Sequence, residues 1–273
     1  MKKLFYFCVA ILGMFTISCS NTESDGYSFE SDSLSGISRG KVPGNPTDTI
    51  SYILSQTSGI GAIHNECMDS IVSEQLEISD LNDYTYGFSV RRNLVSNSPT
   101  AYQSFTLGTA ALLYDQNGNM LTLDSLSRLD NMVLPSGWGT YVRSIGEAID
   151  ISDAKIAKAT LNSLKNGILN DSSLDVLSKS ALVGAVEVAV ASYDYNVVED
   201  SYGINNQQVL KSIARSDVRG AVQTVVISAF SGKYAGMLVF GPQGVVVSVV
   251  QDATIGAMKT SAQALVSSLL EWI

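Results

Sequence analysis

The last third of the chain constrains the fold most. From about residue 216 onward it reads as two apolar segments, 218–240 and 245–270, joined by Gly241-Pro242-Gln243-Gly244. Proline and glycine together interrupt a helix and turn the chain, so the spacing predicts a helical hairpin. Both arms are poor in charge and rich in Val, Ala and Gly. Such a pair must be hidden in a protein core, against a partner or in a membrane.

The start of the chain argues for export. Lys2 and Lys3 precede an apolar run over 4–15 and then Thr16-Ile17-Ser18-Cys19. A basic start, a short apolar stretch and small residues before a cysteine make a secretory signal too short to span a membrane. The last four residues resemble the lipobox of bacterial lipoproteins, in which the cysteine is lipidated and becomes the first residue. Thr16 departs from that box, where Leu is usual. Residues 1–18 are thus expected to be a lipoprotein signal peptide, with Cys19 the lipidation site. Cys8 and Cys19 lie in this segment, which leaves Cys67 alone in the mature domain and excludes an intramolecular disulfide there.

Cleavage after residue 18 also removes Lys2 and Lys3. The 17 basic residues become 15 against 26 acidic ones, a net charge near −11. Such a chain repels phosphate backbones, so nucleic acid is not an expected partner. Residues 19–44 are dominated by Ser, Asp, Glu and Gly and are expected to be a disordered tether. Ser20-Asn21-Thr22-Glu23-Ser24-Asp25 loosely resembles an acidic export signal for the outer face of the outer membrane.

Residues 45–273 are expected to form a single helical domain. Asn45-Pro46 reads as a cap followed by proline at the first helical position. Ser58-Gly59-Ile60-Gly61 then interrupts or bends this helix. Ile60, Ile63, Cys67 and Ile71 form one helical stripe. Residues 77–92 read as a loop with room for a short helix, and 100–113 as helical. Asp115-Gln116-Asn117-Gly118-Asn119 reads as a turn, 123–132 as a short helix and 141–149 as another. Ser152 precedes a helix expected to end at Asn166-Gly167. Asp171 or Ser172 is expected to cap a longer helix carrying Leu174, Leu177, Leu182, Val186, Val190 and Tyr193. Over 181–191 that helix has one charge, Glu187, and is expected to be surrounded on most sides. Asn205 or Asn206 starts the helix that leads into the hairpin.

The residue types available narrow the chemistry. His64 is the single histidine, so a two-histidine zinc site is excluded by count and any Ser-His-Asp triad has to use His64. His64 and Cys67 share a helix face, but Cys67 continues the apolar stripe, where a small buried thiol is common. Asp115-x-Asn117-Gly118-Asn119 lacks calcium-loop spacing, because the twelfth position is Leu126. No Walker loop, Gly-x-Gly-x-x-Gly or Gly-x-Ser-x-Gly elbow occurs. Tyr193-Asp194-Tyr195 reads as amphipathic rings finishing a buried helix where it meets water. No metal, cofactor or catalytic residue is assigned.

Asn45-Pro46, Gly61-x-x-His64-Asn65, Ser192-Tyr193-Asp194-Tyr195, Asp217-x-x-Gly220-Ala221 and Gly241-Pro242-x-Gly244 together carry a resemblance. The chain resembles a family of bacterial secreted proteins and lipoproteins that pairs an Asn-Pro…Gly-x-x-His-Asn start with a Gly/Ala-rich helical end. It departs in a longer gap between Asn45-Pro46 and His64 and in Asn196, where an aromatic is expected. The family brings no activity. The resemblance implies that His64, Asn65, Asp217 and Gly220 are structural or binding points of a shared fold.

These readings combine into an expected all-α, multi-helix bundle around the C-terminal hairpin. On its second arm Ser248, Asp252, Lys259 and Gln263 are spaced to form one narrow polar stripe, expected to be a wet edge. On the first, Ser212, Arg215, Arg219 and Gln223 line one side. Gly232-x-x-x-Gly236 would suit helix packing in lipid, but Arg219 and Lys233 bracket only 13 residues, short of a spanning helix. The expected function is a lipid-anchored, non-enzymatic cell-envelope protein at the outer membrane, on its periplasmic or surface face. It would bind the membrane through its lipid, and a protein partner or a second copy through its domain. The alternative is a secreted, membrane-active protein of bacteriocin or colicin type that uses the hairpin.

Overall fold

The computed structural model describes residues 46–112, 137–195, 207–230, 233–237 and 241–270. The signal segment, Cys19, the tether, Asn45, the Asp115 turn, the 123–132 helix and Asn196 lie outside the described residues. Among the described residues the fold is all-α, a multi-helix bundle, with no strand.

The first helix, α1 (Pro46–Thr57), opens on its proline, whose missing N–H costs nothing in a first turn. Ser58 and Gly59 break the chain, and α2 (Ile60–Ser73) follows. Its buried face is Ile60, His64, Cys67, Met68, Ile71 and Val72. The expected stripe therefore turns slightly: Ile63 is only half-buried and His64 takes the inner place.

Helix α3 (Leu81–Arg91) stands where a loop with a possible short helix was expected, and it fills most of that stretch. Its inner face is Leu81, Thr85, Phe88 and Ser89, a helical spacing disguised because half of it is hydroxylic. Thr85 donates to the Leu81 carbonyl at 2.7 Å and Ser89 to the Thr85 carbonyl at 2.7 Å, so neither hydroxyl is buried unsatisfied. Helix α4 (Pro99–Leu112) follows, and beyond a stretch outside the described residues comes α5 (Trp138–Asp150). Gly137, at φ 99°, supplies the left-handed turn into α5.

Two helix limits differ from expectation. Helix α6 (Ala154–Asn170) is capped by Asp153, which accepts from the Lys155 and Ile156 amides, and it runs through Gly167. The cause is beyond the glycine: Ile168 and Leu169 are both buried, and their burial outweighs the ~1 kcal/mol that an interior glycine costs. Helix α7 (Val176–Tyr193) is capped by Asp175 rather than Asp171 or Ser172. Asp171 instead accepts from the Ser173 amide in the turn before it. Helix α7 is enclosed on most sides, as its composition predicts, with 180–186 buried without interruption.

Helices α8 (Gln207–Phe230) and α10 (Gly241–Leu270) form the hairpin, with the short α9 (Lys233–Met237) between them. The first arm's helix ends at Phe230, not Phe240, and the expected linker 241–244 forms the first turn of α10. Gly241 has φ 74° and Pro242 sits in the first turn of α10, a position proline tolerates. Ser216 faces Thr260 and Gly220 faces Gly256, so the arms run antiparallel. A Cβ on Gly220 would overlap the Gly256 carbonyl and lie 2.7 Å from its carbon; the reverse substitution meets Gly220 equally. The two backbones are therefore in contact.

The polar stripe of α10 is not a wet edge. Ser248, Asp252 and Lys259 are all buried, and Gln263 is half-buried. Asp252 accepts from Lys233 Nζ at 2.6 Å and Tyr234 Oη at 2.9 Å, so α9 closes over it. Lys259 donates to the Phe105 carbonyl at 2.6 Å, under α4, with its ammonium 3.7 Å from the Phe105 ring centre. Polar residues on a helix face are compatible with burial when a neighbouring helix brings the partner.

The crossing makes a prediction for thermal or urea unfolding. Gly220→Ala should cost about 3 kcal/mol or more, the upper range of overpacking, because the Gly256 backbone, with the Thr260 hydroxyl beside it, occupies the space. Gly167→Ala, with open space around its Cβ, should instead stabilise by about 0.5–1 kcal/mol.

Candidate functional site

Among the described residues, two places gather side chains with chemistry. The first is a junction of α2, α7 and α8. On α2, Gly61 lets the helix approach α7: a Cβ there would lie 2.6 Å from that of Ala191. One turn on, Asn65 Nδ2 donates to the Ala191 carbonyl at 3.1 Å. This fixes the amide, so Asn65 Oδ1 faces His64 Nδ1 at 2.9 Å. An amide oxygen can only accept, so His64 Nδ1 carries a proton. His64 Nε2 stands 3.1 Å from Asp217 Oδ1 on α8, and Ser192 Oγ of α7 donates to Asp217 Oδ2.

His64, Ser192 and Asp217 are fully buried. With Nδ1 protonated, one further proton lies between Nε2 and Oδ1, and the pair is neutral overall whichever atom holds it. Burial disfavours the imidazolium, but the Asp217 carboxylate, its hydrogen bond and that of Asn65 outweigh it and raise His64 above its ordinary 6.5. Burial also raises the Asp217 carboxyl above 3.8, against the pull of His64 and Ser192. Both shifts mean that the folded chain holds this proton more tightly than the unfolded chain does.

The order of the three groups matters for chemistry. In a hydrolytic triad the histidine stands between serine and aspartate and takes the hydroxyl proton. Here Asp217 stands between, Ser192 faces a carboxylate, and none of the three meets solvent. The arrangement orients groups and ties three helices, and it offers a substrate neither a nucleophile nor a base. Cys67 is no closer to reactivity, since burial pushes its thiol up to about 12 despite Arg91 nearby.

The second place is a polar cleft of about 570 Å³ between α2 and α3, lined by Glu66, Ser70, Glu74, Tyr84, Phe88, Arg91 and Arg92. Arg92 is ion-paired with Glu66, and Tyr84 Oη donates to Glu74 Oε1 at 3.1 Å. Arg91 lies over the Tyr84 and Phe88 rings, 5.6 and 5.7 Å from their centres. Its volume falls within the range of small-molecule sites.

Of the residues singled out from the sequence, the fold brings His64, Asn65 and Asp217 into one network and places Gly220 one turn beyond Asp217, at the helix crossing. Tyr193 donates to the Ile149 carbonyl at 2.7 Å, Asp194 pairs with Lys158, and Tyr195 is buried, so this stretch finishes a buried helix. The cleft was missed because it falls where a loop was expected; its signal was the Arg91-Arg92 doublet in an acidic chain. Among the described residues no three His, Cys, Asp or Glu side chains gather as a metal would require. No protein-family model gives a significant match to the chain, and neither does a curated protein or a solved structure.

Asp217→Ala should cost about 3–5 kcal/mol in urea unfolding, because it strands a buried partner, while Asp217→Asn should cost less. The raised His64 value adds stability that is complete below pH 6.5 and is lost as pH rises through the folded value. Lys259 opposes this, since burial lowers its ammonium to about 7 and favours the fold as pH rises. In a Lys259→Met background the melting temperature should therefore fall as pH rises above 6.5, and the added pair His64→Gln, Asp217→Asn should flatten that slope.

Proposed function

We propose that this chain is a lipid-anchored, non-enzymatic protein of the bacterial cell envelope. In this reading it is held to the outer membrane through Cys19 and binds a ligand in the α2–α3 cleft. One contrast carries the reading: the acid–base residues are sealed from solvent in an order that serves packing, while the cleft is open and polar. The lipobox-like Thr16-Ile17-Ser18-Cys19 and the resemblance to bacterial secreted proteins and lipoproteins support the anchoring.

Two measurements test it on the full chain. In a bacterial host fed labelled palmitate, the chain should take up label and Cys19→Ser should not; an unlabelled wild type would remove the anchor. In saturation-transfer NMR with a cell-envelope extract, small-molecule signals should appear with the wild type and vanish with Ser70→Trp, which fills the cleft. Signals that survive Ser70→Trp place the ligand elsewhere.

A second reading, a membrane-active factor, draws on one observation. Among the described residues Val176–Tyr193 is long and apolar enough to cross a membrane, although most of it is buried in the bundle, as in many soluble cores. Absence of dye release from liposomes at about micromolar protein, a concentration at which amphipathic segments bind bilayers, would sink this reading.

A further inference from the structure

The charges of the α2–α3 cleft are not equally satisfied, and the imbalance says what the cleft would take. Glu66 is neutralised by Arg92, and Glu74 accepts the Tyr84 hydroxyl. Arg91 has no ion pair among the described residues, and its side chain is exposed. Its guanidinium carbon lies 5.6 and 5.7 Å from the centres of the Tyr84 and Phe88 rings, and its N–H donors make no hydrogen bond among the described residues. Such a guanidinium can meet an oxyanion through two parallel hydrogen bonds.

Two kinds of small oxyanion fit that fork, and the surroundings choose between them. Glu74 lines the cleft with only a neutral hydroxyl as its partner, so each added negative charge on the ligand meets an uncompensated carboxylate there. A carboxylate brings one charge; a phosphate near neutral pH brings up to two. The cleft is also larger than a carboxylate alone, which leaves room for an organic body against Tyr84 and Ser70.

We infer that the cleft binds a small organic carboxylate, whose two oxygens are taken by the Arg91 guanidinium. This inference rests on the reading of the cleft as the ligand surface. Arg91 is the anchoring residue, and Glu66 is a positioning residue that keeps Arg92 from competing for the same anion. Arg91 is exposed and ties no buried group, so its replacement leaves the fold intact.

The full chain in micelles of an uncharged detergent, titrated with sodium acetate and separately with inorganic phosphate, tests this directly. The readout is the Arg91 Nε–H resonance together with the amides of α2 and α3. Acetate should shift them saturably in roughly the millimolar range expected of so small a ligand. Arg91→Gln should weaken binding at least about tenfold, Arg91→Lys should retain part of it, and Glu66→Gln, which frees Arg92, should tighten it. No saturable shift with acetate, affinity unchanged in Arg91→Gln, or tighter binding of phosphate than of acetate would each overturn the inference. If Ser70→Trp abolishes the extract signals while acetate leaves Arg91 unmoved, the carboxylate assignment fails and the cleft stands as the ligand surface. If both experiments are silent, the parent reading fails with it.

Discussion

Backbone contact between α8 and α10 at Gly220 and Gly256 is the constraint on which the rest of the bundle depends. Two helices with ordinary side chains pack 8–10 Å apart, roughly, and leave a seam that other side chains must fill. With glycine facing glycine, the arms meet without a seam, and Thr260 can reach across to donate to the Ser216 carbonyl at 2.6 Å. The close approach presents Asp217, one turn before Gly220, to α2 and α7. It also brings Val218, Ala221, Val225, Val249, Ala253 and Ala257 into one apolar cluster with α7. The small residues of the hairpin are thus a condition of its geometry, and the apolar surface they leave is covered by protein.

The same logic explains the spacing of the motifs that stand out in the sequence. Gly61 and Asn65 are one helical turn apart, so one removes bulk where α2 meets Ala191 while the other holds the Ala191 carbonyl. His64, beside Asn65, is thereby aimed at α8, and Ser192, beside Ala191, completes the coordination of Asp217. Each residue is needed because the others fix where it points. A buried aspartate with a single donor would be costly; two donors and an internally compensated charge make it tolerable. What such a network adds beyond packing is register, since α2 cannot slide along α7 without stranding polar groups in a dry interior.

Legibility in the sequence followed the physics of each element. Helices with apolar periodicity and strong start signals were readable: α1 from its proline, α7 from its nearly uncharged run, the hairpin from its composition. Helix α3 was not, because Thr85 and Ser89 bury their hydroxyls by bonding back to their own helix and so mimic a polar surface. Gly167 misled for the complementary reason: its break signal is worth about 1 kcal/mol, which tertiary burial overrides. The glycine–proline signal marked a real helix boundary but was placed as a linker, although a proline is tolerated in a first turn and here opens α10. His64 and Asp217 could be marked as notable but not joined, because their separation of 153 residues is bridged only by the fold. The cleft was invisible for a further reason: it depends on α3 being a helix at all.

How the chain disposes of charge separates structure from recognition within it. Asp217 meets an imidazole and a hydroxyl, Asp252 an ammonium and a phenol, and Lys259 a carbonyl and an aromatic face. Each buried ionic group is answered by two partners brought from another segment of the chain, so each acts as a lock between helices. Arg91, at the surface, lies outside this pattern. It sits beside two aromatic rings and has no counter-ion among the described residues. On the reading proposed above, the buried charges are spent on locking helices together, and the exposed guanidinium is the group left to meet a ligand.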